Sequence, residues 1–182
     1  MKSLSTLSLL FLVLFGMSKA VAQQSKLKIH GISLGVGIMA NTPKIYESDT
    51  NLPFDISLSQ GNHLFSLYHN KTEDLSNFYN ILPSDDQAYY QEFNLTYGKQ
   101  WTLTDHWVLE GHAGLGYFQH NYYGLDEFDS NRLVKESTIG FPVRAKLVYY
   151  FGGHFGLGLN PNLNINSLNT VLSAAFLLQF RF

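Results

Sequence analysis

Apolar and polar residues alternate in short runs along most of the chain, and each run predicts a strand. Between Lys28 and Ala40, Ile32, Leu34, Val36 and Ile38 share one parity while Gly31, Ser33, Gly35 and Gly37 share the other. Successive strand side chains point to opposite faces, so such a run has one apolar face and one polar or small face. Phe54, Ile56 and Leu58 alternate with Asp55, Ser57 and Ser59, then Gln60-Gly61-Asn62 predicts a tight hairpin turn into a strand over His63 to Thr72. Phe93, Leu95, Tyr97 and Trp101 oppose Glu92, Asn94, Thr96, Gly98 and Gln100. After a turn at 102–105, Trp107, Leu109, Ala113, Leu115 and Tyr117 oppose Glu110, His112, Gly114, Gly116 and Phe118. Ile139, Phe141, Val143, Ala145, Leu147 and Tyr149 alternate with Gly140, Arg144 and Lys146. Past Gly152-Gly153, Leu157, Leu159, Leu163 and Ile165 alternate with Gly156, Gly158, Asn160, Asn162 and Asn164. The last run, Val171 to Phe182, sets Leu172, Ala174, Phe176, Leu178, Phe180 and Phe182 on one face.

These eight runs are joined by connections that alternate long and short. The long ones are the polar stretch around Pro43 to Pro53, Glu73 to Ala88, and about Asn121 to Glu136; the seventh connection, Asn166 to Asn169, is brief. An even count of alternating strands with long and short connections on opposite ends predicts an all-β, eight-stranded, antiparallel up-and-down transmembrane barrel, apolar outside and polar within. Trp101, Trp107, Tyr149, Phe151, Phe155, Phe180 and Phe182 fall near one level, where an aromatic girdle meets the membrane interface.

The start of the chain fits that address. Lys2, the apolar run Leu7 to Phe15 and Ala20-Val21-Ala22 form the three regions of a secretory signal peptide, so residues 1–22 are expected to be removed and 23–182 to form one barrel domain. Without Lys2 and Lys19 the mature charge is 10 − 14 = −4, from 12 basic and 14 acidic residues overall, which excludes a nucleic-acid binder. With no cysteine, no disulfide can hold the fold. Acids concentrate in the long connections: Glu47, Asp49, Glu73, Asp74, Asp85, Asp86, Asp126, Glu127 and Asp129.

The alternation of all eight segments and the ending Leu178-Gln179-Phe180-Arg181-Phe182 resemble the small OmpX/OmpA-type barrels of the outer-membrane β-barrel domain family. The resemblance implies a Gram-negative cell outer membrane, long loops outside and both termini in the periplasm. It makes Phe180 and Phe182 the assembly signal read by the outer-membrane assembly machinery. It also implies contact with outer-membrane lipids and lipopolysaccharide. No tethering domain is expected beyond the barrel.

Inward parity assigns Asp55, Glu92, Glu110, His112, Arg144, Lys146 and Arg181 to a polar network filling the lumen, since buried charges must be paired. The inward glycines relieve crowding in a narrow barrel or leave an internal cavity. Pro142 and Pro161, on neighbouring strands at similar depth, mark either two bulges or a lateral seam. Gly111, Ala113 and Ala145 form a small-residue patch on the outer face where another outer-membrane protein could pack. The seven histidines lack ligand spacing, so no metal, cofactor or catalytic residue is assigned.

The function expected is therefore non-enzymatic and structural or interactive, with membership of a larger outer-membrane complex as one form of it. One alternative is a lipid A-modifying acyltransferase or deacylase fed through Pro142/Pro161, with His120, Ser130, Asp126 and Asp129 placed for it by location alone. The other is a narrow gated pore.

Overall fold

A computed structural model describes residues 26–42, 49–73, 89–125 and 131–182. The proposed signal peptide and the acidic segments around Asp74, Asp85, Asp86, Asp126, Glu127 and Asp129, with Ser130, lie outside the described residues.

The eight strands are β1 (Lys28–Thr42), β2 (Asp49–Gln60), β3 (His63–Glu73), β4 (Tyr89–Thr102), β5 (Trp107–Leu125), β6 (Asn131–Phe151), β7 (Phe155–Asn166) and β8 (Thr170–Arg181). Each pairs antiparallel with the next, and β1 pairs with β8 from Gly31↔Arg181 to Thr42↔Thr170, so the sheet closes without an edge around the wall. One end carries the short turns at 61–62, 103–106 and 152–154 together with the start of β1 and the end of β8; we call it the turn end and its opposite the loop end. Gly61 (φ 61°), Gly152 (φ 61°) and Gly153 (φ 93°) supply the left-handed backbone that these tight reversals need. Between β7 and β8 the Asn166 carboxamide oxygen accepts from the backbone N–H of Leu168 (3.0 Å) and Asn169 (2.9 Å). Asn166→Ala should cost about 1 kcal/mol of stability, as loss of such a turn bond does, read as a lower urea midpoint.

The wall is inverted relative to a water-soluble barrel. Inward positions are buried and largely polar, whereas outward Leu67, Leu95, Phe176 and many other large apolar side chains are more than half exposed. That continuous apolar surface suits acyl chains.

Along the wall, the structure differs from the sequence-based expectation at the β5–β6 hairpin and at the prolines. The stretch read as a third long loop is mostly strand: β5 and β6 run 19 and 21 residues and stay paired from Asn121↔Lys135 out to Leu125↔Asn131. Here the hairpin extends beyond the last rungs of its neighbours, Tyr89↔Asn121 with β4 and Gly140↔Asn166 with β7, where strict apolar alternation is no longer required. The prolines also make no bulge. Register is constant on both sides of each; the β5–β6 ladder skips Gly114/Leu115 opposite Phe141/Pro142, and the β6–β7 ladder skips Ala145/Lys146 opposite Asn160/Pro161. A proline has no N–H to donate, so the ladder loses rungs locally without slipping. Pro53 accompanies a similar gap in β1–β2.

Candidate functional site: a closed polar lumen

The barrel interior is stacked in layers. At the loop end Met39, Tyr90, Phe118 and Val171 form an apolar cluster, with Leu168 packed against it; at the turn end Val108, Val148, Tyr150 and Leu177 form another. Between them lie two polar groups.

The first centres on two carboxylates and two cations. Lys146 Nζ stands 2.8 Å from Asp55 Oδ2 and 2.8 Å from Glu110 Oε2, bridging them. Arg144 Nη2 donates to Asp55 Oδ1 (3.1 Å) and to Ser66 Oγ (2.8 Å), while its guanidinium lies over the Tyr68 ring at 4.3 Å. The Ser66 hydroxyl also donates to Asp55. Glu110 further accepts from His30 Nε2 (3.1 Å), His112 Nε2 (3.2 Å) and Gln179 Nε2 (3.1 Å). Glu110↔Lys146 and His112↔Arg144 are direct cross-strand partners, which fixes their approach; Asp55 reaches both cations from β2, across the lumen.

The second group surrounds Glu92. Its carboxylate accepts from the amides of Asn70 (3.2 Å), Asn94 (3.0 Å), Asn162 (2.9 Å) and Asn164. Amide N–H donors solvate the charge where water would otherwise do so. Asn162 and Asn164 are successive inward residues of β7, so its Asn-rich face serves as a cradle.

Six of the seven assigned lumen residues are buried inside, and five of them meet in the first group; Glu92 stands apart with its amides. Arg181 does not join them. It lies at the turn-end rim, stacked over Tyr150 at 4.1 Å and donating from Nη2 to the Gly153 carbonyl at 3.0 Å, because the last inward position of β8 is already at the barrel mouth. His30 was missed. By parity it belongs outside with Ile32, but β1 shifts register against β2 between Ile29 and Gly31 and turns its ring inward onto Glu110. A histidine on an otherwise apolar face was the available sign of that bulge.

The inward glycines hold no empty space. A Cβ at Gly116 would collide with the Asn94 carboxamide, and one at Gly140 with Asn164, so these glycines admit neighbouring side chains. Outside, Trp107–Tyr149 (5.1 Å between ring centroids) with Tyr149–Phe151 (5.0 Å), and Phe155–Phe180 (4.9 Å) with Phe180–Phe182 (5.0 Å), form two aromatic clusters at the turn end. The Trp101 ring covers Gly111, which leaves the small-residue patch less open than its sequence implied.

Solved structures share this architecture. The N-terminal β-barrel domain of Pseudomonas aeruginosa OprF is similar over 86% of this chain and 100% of its own (TM-score 0.61, 11% identity). Ail, the attachment invasion locus protein of Yersinia pestis, solved with the heparin analogue sucrose octasulfate, is similar over 85% and 99% (TM-score 0.59, 12% identity). Neisserial surface protein A is similar over 86% and 99% (TM-score 0.59, 8% identity). The chain thus has the fold of the small eight-stranded outer-membrane barrels. By sequence, residues 73–151 match a family described as a protein of unknown function, DUF3575. No curated protein matches the sequence.

Proposed function

We propose that this protein is an integral outer-membrane barrel that acts through its outer surfaces and does not conduct or transform a substrate within. In this reading its turn end and termini face the periplasm and its loop end faces outward. The observation that carries it is the layered lumen: apolar clusters at both ends enclose a hydrogen-bonded charge network. An eight-stranded barrel has room for side chains or one small ligand, and here side chains take it.

The β5–β6 hairpin is the favoured contact surface. Residues 131–139 of β6 pair with β5 alone, because β7 first meets β6 at Gly140↔Asn166. A strand edge of that kind accepts an extended segment of a partner through main-chain hydrogen bonds. The acids in the loop segments disfavour a polyanion such as the heparin analogue found with Ail. The lipid-modifying alternative gains nothing from the prolines, which interrupt different ladders and so share no opening.

Planar-bilayer recording tests the sealed lumen: purified protein should give no single-channel steps, and reproducible steps would overturn the proposal. Pull-down from native membranes should recover a partner that is lost when residues 120–136 are replaced by a two-residue turn, which removes most of that edge.

A further inference from the structure

We propose that the barrel thins the bilayer locally along β3, so that lipid on that side is shorter than lipid along β7. The inference rests on the membrane reading above. Its basis is the unequal height of the outward apolar band on opposite walls. A strand rising about 3.3 Å per residue at a tilt of about 40° advances about 2.5 Å along the barrel axis per residue. On β7 the outward residues Phe155, Leu157, Leu159, Pro161, Leu163 and Ile165 are all apolar, which gives a band of about 25 Å, the usual height for such barrels.

Across the ring, β3 presents only Phe65 and Leu67 between His63 and His69, a span of about 15 Å even with both histidines included. The neighbours carry short bands of their own: on β4 Gln91 and Lys99 enclose Phe93, Leu95 and Tyr97, with Trp101 beyond Lys99, and on β2 Thr50 and Gln60 enclose Leu52, Phe54, Ile56 and Leu58. Lys99 is the Cα partner of His63, and Gln91 is that of Lys71. The narrow band is thus bounded at its turn end by His63 and Lys99 and at its loop end by His69, Lys71 and Gln91. The polar groups are anchored to rings at the same levels: His63 bonds the Tyr97 hydroxyl, His69 stacks on Phe93 at 4.4 Å, and Lys71 Nζ sits 5.6 Å from the Tyr89 ring centre. Tilting the barrel cannot reconcile walls of unequal height. Drawing the two headgroup planes together beside β3 can, and it brings Lys99 and Lys71 to the phosphates of opposite leaflets.

The absence of cysteine permits a direct test with single spin labels. Labels at positions 67 and 159, each near mid-band on its wall, would be compared for oxygen and nickel-chelate accessibility in phosphatidylcholine vesicles. Position 67 should read about 5 Å shallower than position 159, and His63→Leu, His69→Leu and Lys71→Leu together, which carry the apolar run over 63–71, should narrow the difference. Equal depth in the wild-type background would overturn the proposal. If position 159 itself lies outside the hydrocarbon, the membrane reading fails as well, and the two failures are told apart.

Discussion

Replacing Lys146 with methionine should lower the unfolding free energy by about 3–5 kcal/mol, the range for removing one partner of a buried ion pair. Lys146 is fully buried and offsets the repulsion between Asp55 and Glu110 by bridging them, 2.8 Å from each. Methionine keeps the volume and apolar stem, so the loss isolates the charge. Asp55 then retains Arg144 and Ser66, while Glu110 keeps hydrogen bonds from two histidines and Gln179 but loses its nearest permanent cation. Adding Glu110→Gln to Lys146→Met should recover part of the loss, because the orphaned carboxylate is then gone. Arg181→Met, at the rim, should cost less than about 1 kcal/mol, since a partly exposed cation is compensated by water. Urea unfolding in lipid vesicles, followed by tryptophan fluorescence, reads all three. A cost below about 1 kcal/mol for Lys146→Met would mean that the network fills space without securing the barrel.

The contrast between Lys146 and Arg181 marks where sequence reading works and where it stops. Parity alone places Glu110, His112, Arg144 and Lys146 on facing positions of adjacent strands, and two of their pairings are direct register partners. It cannot show that Asp55 crosses the lumen to the same cations, because contacts across a closed barrel leave no sequence spacing. Nor does it separate the buried part of an inward face from its mouth, which is why Arg181 was misplaced. His30 escaped for a different reason: one extra residue reverses the facing of everything before it. The Asn160, Asn162 and Asn164 run is legible as inward, but the donation of Asn162 and Asn164 to Glu92 depends on β4 standing across from β7. The β5–β6 extension is hidden because its pairing runs on beyond the rungs that β4 and β7 supply, where no closed wall imposes an inside and an outside. The prolines show the reverse case, an anomaly in sequence that the ladder absorbs in register.

Gly37→Val should produce the largest effect at the closing seam. Gly37 faces Ala175 across the β1–β8 ladder that completes the ring. A Cβ there would lie 2.5 Å from the Ala175 Cα and 2.6 Å from its Cβ, and would also collide with the Ala174 carbonyl oxygen. Two of these three obstacles are backbone, which no rotamer change can move; relief requires parting the strands. Ordinary overpacking costs about 1–3 kcal/mol, and a clash that opens the last ladder should reach or exceed the top of that range. The expected result is a loss of the compact, heat-modifiable band that folded barrels show in unboiled electrophoresis samples. Gly111→Ala is the matched control. Its added Cβ meets only the edge of the Trp101 ring at 3.2 Å, and a side chain on the lipid face can swing aside, so the cost should stay below about 1 kcal/mol. If Gly37→Val folds as readily as Gly111→Ala, β1 and β8 are not held at this spacing and the ring is not closed as described.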